Sequence, residues 1–321
     1  MIRYGIVGAG RIARKFAEDI KLAEDSILVS VASRTIEKAE AFAKKYDIQN
    51  AYGTYLELAE SGSVDAVYIA TPHSFHKEQS IMFMNHKIHV LCEKPIAVNA
   101  SQFEEMVTVA KANDVLLMEA MWTRFLPSTK YVKNIIDSKE YGNVTFMDFE
   151  FGYEIDENYP NDMRLLNPDL AGGSILDLGS YPVSIMKHFS KKEIRSVEVE
   201  AMLHENGIDL DASIYIDFVD DTKATLRSSL SQDLDDLGVI RFENGSIKMK
   251  HFYKCTQLKV NKNKVSTPCL GRGFVHQIEA FTETLSNGLR ENDIMSHNES
   301  REVMELLDLI REKAGVVYPF E

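Results

Sequence analysis

Cysteine is scarce in this chain of 321 residues: Cys92, Cys255 and Cys269 stand far apart and form no C-x-x-C pair. That excludes a disulfide framework and a zinc or dithiol motif, and an odd set of isolated thiols fits reduced cysteines in a cytoplasmic protein. Long hydrophobic runs are missing too, with no apolar stretch near the roughly 18 residues that a membrane span requires. The opening Met1-Ile2-Arg3-Tyr4-Gly5 enters a strand-like pattern at once, without the charged region, apolar core and cleavage site of a secretory signal. Positive charge is in deficit: 36 Lys plus Arg face 49 Asp plus Glu, and the formal charge of -13 repels phosphate backbones and anionic headgroups at long range. Neither nucleic acid nor a membrane is expected as a partner. Internal repeats and low-complexity tracts are also lacking.

What is present is an ordinary globular composition, 45% hydrophobic and 26% charged, at a length that suits about two domains. The first 120 or so residues alternate short apolar runs with helical periodicity, the pattern of a parallel sheet wrapped by crossover helices. Strands are expected at Ile2 to Val7, Ile27 to Ala32, Asp65 to Ala70, Ile88 to Cys92 and Val115 to Glu119. Phe103, Met106, Val107 and Ala110 follow helical spacing, as do Ile12, Phe16 and Ile20, so each helix presents one apolar face. From about residue 122 strands follow one another through hairpin turns. Ala212, Ile214, Ile216 and Phe218 alternate with polar residues, the period of a sheet with one wet face, and Asn244-Gly245 favours a type I′ hairpin turn. Helices over about 274–285 and 299–314 close the chain. The reading is therefore an α/β domain with a parallel sheet over 1–121 and a second, α+β domain over 122–321 with a largely antiparallel sheet.

Gly8-Ala9-Gly10-Arg11-Ile12-Ala13 lies between the first strand and first helix and matches G-x-G-x-x-G/A in the context that a dinucleotide fold requires. Gly8 permits the tight turn, Gly10 lets the backbone approach a pyrophosphate at the helix N-terminus, and Ala13 is small enough for helix–strand packing. At the tip of the second strand an NAD site usually carries a carboxylate for the ribose, but this chain has Ser33 and Arg34, with Lys38 a turn later. A hydroxyl and a guanidinium fork suit a 2′-phosphate and point to NADP, with NAD also admitted; the alternative is a helix cap beside a solvated arginine. Ala70-Thr71-Pro72-His73-Ser74-Phe75-His76 follows the third strand and Cys92-Glu93-Lys94-Pro95 the fourth, both at the sheet edge where ligands bind. Lys94, after a buried strand, suits proton transfer or alkoxide stabilisation, against the alternative of a surface lysine paired with a carboxylate. The spaced histidines His73/His76 and His86/His89 lack a third ligand nearby, and no metal is expected. In Gly172-Gly173-Ser174-Ile175-Leu176-Asp177-Leu178-Gly179-Ser180-Tyr181-Pro182, Asp177 and Tyr181 share a face if the turn is helical, although Pro182 places the helix start near Gly179. A buried tyrosine beside an aspartate is alternatively a packed ring with a satisfied hydroxyl.

Together these segments resemble the glucose-fructose oxidoreductase/inositol dehydrogenase (Gfo/Idh/MocA) family of NAD(P)-dependent sugar oxidoreductases, whose hallmark Glu-Lys-Pro stands here at Glu93-Lys94-Pro95. The resemblance runs the length of the chain. Within the family it is most similar to the dimeric dihydrodiol dehydrogenase branch, through Met118-Glu119-Ala120-Met121-Trp122-Thr123-Arg124-Phe125-Leu126-Pro127, the 172–182 segment and the tail Gly315-Val316-Val317-Tyr318-Pro319. Many relatives have His where Tyr181 stands, and the glycine triplet common before the aspartate is Ala171-Gly172-Gly173 here. The resemblance implies a Rossmann domain, then a domain built on an open antiparallel sheet, with the reactive cleft between them. It implies hydride transfer between the nicotinamide and a carbinol carbon of a sugar, sugar derivative or cyclic vicinal diol, with Tyr181 exchanging the hydroxyl proton, Lys94 stabilising the alkoxide and Asp177 in support. Cofactor contacts would come from Gly8, Gly10, Arg11 and Ile12, from Ser33, Arg34 and Lys38, from Ala70, Thr71, Pro72 and His76, and from Glu93, Lys94 and Arg124. Trp122, Phe151 and Arg164 would line the substrate side. The competing expectation is a catalytically inactive NAD(P)-binding regulatory protein, since fold alone does not fix function.

A homodimer is expected through the second sheet. Its helices look too few to cover both faces, and the apolar rows Val197, Val199, Ala201, Leu203 and Ile214, Ile216, Phe218 cannot all stay wet.

Overall fold

The structure is a computed structural model that describes every residue except 157, 159, 161 and 162. The chain divides into two compact units, Met1–Trp122 with Leu270–Arg301, and Thr123–Cys269 with Glu302–Glu321.

The first unit alternates strand and helix: β1 (Ile2–Val7), α1 (Arg11–Asp19), β2 (Ser26–Ala32), α2 (Ile36–Tyr46), β3 (Asn50–Tyr52), α3 (Tyr55–Glu60), β4 (Ala66–Ile69), α4 (His76–Asn85), β5 (His89–Glu93), α5 (Ala100–Asn113) and β6 (Leu117–Ala120). All neighbouring strands pair in parallel, in the order β3-β2-β1-β4-β5-β6. Five of these strands fall where the apolar runs place them. The sixth, β3, is three half-buried residues beside β2, too short and too polar to register as an apolar run. Strands buried on both faces read as continuous apolar segments, and β4 is buried throughout. The apolar stripe of α5, Phe103, Met106, Val107 and Ala110, is buried as its spacing requires. Gly8 takes a φ of +95°, and a Cβ there would lie 3.1 Å from the Ala70 carbonyl oxygen, so the turn after β1 can run against the end of β4 only as glycine.

The second unit begins with α6 (Pro127–Ser138) and β7 (Val144–Gly152), followed by α7 (Ser180–Phe189), β8 (Ile194–Leu203), β9 (Asp209–Phe218), β10 (Lys223–Ser229), β11 (Gly238–Phe242), β12 (Gly245–Met249), β13 (Gln257–Val260) and β14 (Asn263–Ser266). The eight strands run β14-β13-β12-β11-β7-β10-β9-β8, antiparallel throughout except for the β10–β7 pair. The β11–β12 hairpin forms as expected but not with a type I′ turn. Its two turn residues are Glu243 and Asn244, neither has the positive φ that type I′ demands, and Gly245 is already in the strand. α7 packs on β7 and β10, and Ile214, Ile216 and Phe218 are buried, as is Val197. The expectation that these rows cannot all be covered without a second copy is therefore corrected for the β9 row and Val197, which are buried in the single chain, whereas Val199 is half-buried and Ala201 and Leu203, toward the end of β8, are exposed. The wet face is the opposite one, where Tyr215 is exposed.

After β14 the chain returns to the first unit through α8 (Val275–Ser286) and the start of α9 (His297–Ala314). Asp19, buried at the end of α1, holds this segment by accepting the backbone N–H groups of Arg272 and Phe274 at 2.9 Å. Among the described residues no helix is long and apolar enough to cross a membrane. Cys92 and Cys255 are buried and Cys269 is half-buried.

Candidate active site

In a parallel sheet that winds outward in both directions from β1, the crevice opens at the carboxyl ends of β1 and β4. A cavity of about 340 Å³ lies there, and the first unit alone forms it. The structure brings together eight of the residues named from the sequence: Gly8 and Gly10 of the first turn, Ser33, Arg34 and Lys38 from the end of β2 and the start of α2, and Ala70, Thr71 and Pro72 after β4. α1 starts at an N-cap glycine with no side-chain cap and no acidic residue in its first turn, which leaves its N–H groups for an anion. A Cβ at Gly10 would meet nothing closer than 3.9 Å, so the approach above it is open. These features fit the pyrophosphate and adenosine of a dinucleotide.

Four further lining residues escaped the sequence reading: Ala9, Tyr55, Phe75 and Gln79. Tyr55 comes from the first turn of α3, just beyond the overlooked β3. Burial raises the pKa of its hydroxyl while the charge of Arg34 pulls the other way, which marks the two as neighbours. Phe75 and Gln79 lie on the helical segment after Pro72, and the Gln79 amide oxygen accepts from the Thr71 hydroxyl at 2.6 Å.

The remaining first-unit candidates lie outside the cavity wall. Arg11 is exposed and Ile12 half-buried at the start of α1. Trp122 is buried and stacks on Phe274, with ring centroids 4.9 Å apart. His76 is completely buried; its Nδ1 lies 2.8 Å from the Pro95 carbonyl oxygen and its Nε2 2.9 Å from that of Thr71. Lys94 is 8% exposed and Glu93 6% exposed, so two opposite charges sit in low dielectric at the end of β5. Glu93 accepts a very short hydrogen bond from the Tyr68 hydroxyl and a longer one from the Lys94 backbone N–H. Tyr68 is in turn stacked on Phe16 of α1. Burial pushes the Glu93 pKa up to about 7, against the pull of the Tyr68 hydrogen bond and the Lys94 charge.

The second unit gathers its candidates separately. The chain 175–179 forms a π-helical turn that carries Asp177, and α7 follows at Ser180 with Gly179 as its N-cap, so Pro182 sits in the first turn where proline is tolerated. Asp177, 6% exposed, takes both guanidinium nitrogens of Arg164, at 2.9 and 3.2 Å. Tyr181, 8% exposed, meets Phe151 edge-on at 5.3 Å, and Phe151 stacks on Tyr253 at 4.2 Å. Tyr253 had no signal in its local sequence, because it arrives from a short turn after β12, about a hundred residues from Phe151. Arg124 is fully buried and donates to the Ser184 hydroxyl and carbonyl at 2.8 and 2.9 Å.

Two long-range anchors hold the turn that leads into this π-helical segment. Asp209, completely buried, accepts from the Ser174 hydroxyl at 2.7 Å and the Ile175 N–H at 2.6 Å, and burial raises its pKa. Tyr318 donates its hydroxyl to the Gly172 carbonyl at 2.7 Å. Gly173 has a φ of +106°, and a Cβ there would collide with Asp209 Oδ1 at 2.4 Å. Ala171, where the related glycine triplet has its first member, is held in the left-handed region at φ +54°.

Two family models match the chain: the oxidoreductase family with NAD-binding Rossmann fold over residues 2–121, and the GFO/IDH/MocA C-terminal domain over residues 129–248. The chain belongs to the Gfo/Idh/MocA oxidoreductase family. Trans-1,2-dihydrobenzene-1,2-diol dehydrogenase of Xenopus laevis is 33% identical, with 99% of each chain covered, and the human enzyme of that name is 29% identical over 99% of this chain and 98% of its own. A 3-ketoreductase from Actinomadura kijaniata, solved with NADP and TDP-benzene, shares the fold with a TM-score of 0.89 at 22% identity and 99% coverage of both chains. The aldose-aldose oxidoreductase from Caulobacter crescentus, complexed with glycerol, gives a TM-score of 0.87 at 20% identity, covering 98% of this chain and 97% of its own. Across the family description and the cavity geometry the cofactor is a nicotinamide dinucleotide.

The raised pKa of Glu93 carries a stability consequence with a definite sign. Between about pH 4.5 and 7 the folded protein binds more protons at this site than the unfolded chain, so the site's contribution is fully present below pH 4.5 and is lost as pH rises through 7. Glu93→Gln should remove that slope. Denaturant midpoints of the two proteins across pH 4 to 8 check it, and parallel curves would contradict it.

Proposed function

We propose that the protein is an NADP-dependent oxidoreductase that moves a hydride between the nicotinamide and a carbinol carbon of a sugar, sugar derivative or cyclic vicinal diol. The carrying observation is the convergence of the glycine turn with Arg34 and Lys38 in one cavity, one strand away from the buried Lys94. The relatives named as diol dehydrogenases support the substrate class, as does a fold neighbour named as an aldose-aldose oxidoreductase, and a fold neighbour solved with NADP supports the cofactor. In this reading residues 1–121 bind cofactor and 122–321 meet substrate and pair with a second copy, in the cytoplasm, where the thiols stay reduced.

When bound, NADP supplies the hydride acceptor or donor at its nicotinamide ring. In the oxidation direction Tyr181 would accept the hydroxyl proton and Lys94 would steady the negative charge on oxygen. A free tyrosine titrates near pH 10 and needs a neighbouring cation to act near neutrality, which is the role given to Lys94. The aromatic wall of Phe151 and Tyr253 fixes the Tyr181 ring, and the Arg164–Asp177 pair supplies polar groups for hydroxyl-bearing substrates.

Arg34 recognises the 2′-phosphate. Arg34→Ala should weaken NADP by about one to two decades, the worth of roughly 1.5–3 kcal/mol for a charge-assisted pair, and leave NAD nearly unchanged. Calorimetric titration with both cofactors checks this, and an unchanged NADP/NAD ratio would sink it.

Tyr181→Phe should lower kcat by about 10² to 10⁴ with NADP affinity retained, and Lys94→Ala by as much or more. Because the two act on one proton, the double variant should fall well short of the product of the two losses. Assays over a panel of aldoses and vicinal diols decide it; NADP binding without turnover on any of them would favour a regulatory protein instead. A folded Tyr181→Phe protein that keeps most of its kcat would move the proton to another group.

A dimer forms through the wet face of the second sheet. There the row Glu198, Tyr215, Thr225, Asp148, Val239, Lys248, Lys259 crosses from acidic to basic strands, so a two-fold axis sets each acidic end against the partner's basic end. Light scattering should give twice the 36.4 kDa chain mass at micromolar concentration, falling in high salt; a monomer at low salt is the contrary result.

A further inference from the structure

We propose that His76 is held as an imidazolium that ties together the two sheet-edge loops of the first unit, and thereby acts as a positioning residue for Lys94. The ring belongs to the first residue of α4, has no exposure to solvent, and places one nitrogen on each loop: Nδ1 at 2.8 Å from the Pro95 carbonyl oxygen, Nε2 at 2.9 Å from the Thr71 carbonyl oxygen. A carbonyl oxygen only accepts. Both nitrogens must therefore donate at once, and imidazole has two N–H groups only in its protonated form. A neutral ring would turn a lone pair toward one of the two oxygens and leave that buried carbonyl unpaired.

The surroundings suit a buried cation. Glu93 ends β5 and Lys94 joins it to Pro95, and from β6 Glu119, 1% exposed, accepts the Ile96 N–H at 3.2 Å with Oε1 and the Ser300 hydroxyl at 2.9 Å with Oε2. Two buried carboxylates thus flank the loop that His76 grips. His73 sits edge-on to the ring at 5.8 Å between centroids. On the same helix Lys77 pairs with Glu105 of α5 at 3.3 Å and with Glu78 at 3.7 Å, so its charge is already answered.

The two carbonyls belong to loops with different tasks. Thr71 lines the cofactor cavity, and its hydroxyl is also tied to α4 through Gln79. Pro95 follows Lys94 directly. One ring therefore fixes the distance between the wall of the cavity and the lysine, which no contact of either loop with solvent could do. The resemblance implies a cofactor contact at His76; the role proposed here puts the ring one step behind the cofactor loop, on the Thr71 carbonyl.

The protonation state is read on the resting protein and stands apart from the proposed reaction, whereas the positioning consequence rests on that reading. Protein labelled with nitrogen-15 histidine, with the His76 ring assigned through its own bonds to its backbone amide, is followed by ring proton–nitrogen correlation from pH 6 to 9. Both ring nitrogens should carry protons at pH 7, with a midpoint above the ordinary value of about 6.5. A single protonated nitrogen at pH 7 overturns the imidazolium, and this holds whether or not any variant folds. In a second arm His76→Gln, which keeps one donor, should weaken NADP binding by about tenfold and lower kcat together. A folded variant with both within twofold of wild type overturns the positioning role. Wild-type protein that binds no NADP strikes the cofactor assignment instead, and leaves the nitrogen spectra to decide the state of the ring.

Discussion

The flanking of β1 by β2 on one side and β4 on the other is the constraint on which the first unit depends. The crossovers that leave β1 toward β2 and β4 toward β5 run in opposite directions, so no connection covers the carboxyl ends of β1 and β4, and a crevice opens there. The turn after β1 must then pass close to β4, which only a residue without a Cβ in a left-handed conformation allows at Gly8. The candidate groups of this unit hang from that edge: Ser33 and Arg34 after β2, Ala70 to Pro72 after β4, Glu93 at the end of β5 and Lys94 just after it. Their spacing follows from strand separation in the sheet, and loop conformation adds only the last few ångströms.

Placing several charges at a dry sheet edge is costly unless each finds a partner. Glu93 has the Tyr68 hydroxyl and the Lys94 backbone, Glu119 has Ile96 and Ser300, and His76 has two carbonyls. These bonds rigidify the loops around Lys94 and leave Glu93 poised near neutrality. The cavity side is different: Arg34 and Lys38 remain exposed and can meet an incoming anion.

In the second unit the comparable constraint is the 171–174 turn. Its backbone follows a left-handed path that brings Gly173 against Asp209, and Tyr318 grips Gly172 from a distant part of the chain. The π-helical turn that follows is wider than an α-turn and is held at its start by Asp209, which presents Asp177 and Tyr181 from a buried frame. Such a turn would relax if either anchor were removed.

Much of this was legible from residue order alone, because periodicity and turn chemistry are local. The parallel strands, the stripe of α5, the Gly8–Gly10 turn and the absence of a carboxylate after β2 all follow from residues within a few positions of one another. Local signals ended where contacts did. β3 is too short to carry a pattern, so Tyr55, one element later, could not be placed beside Arg34. Which face of β9 is dry depends on where the π-helical turn 175–179 lies, and alternation by itself does not say. Asn244-Gly245 marked the hairpin correctly, but the register with β7, which slips at Phe242, set the turn one residue earlier than the dipeptide implies. Tyr253 beside Phe151, Asp209 under Ser174 and His76 between Thr71 and Pro95 are pairings that only tertiary structure could decide, since each joins side chains to groups whose positions are set by other elements.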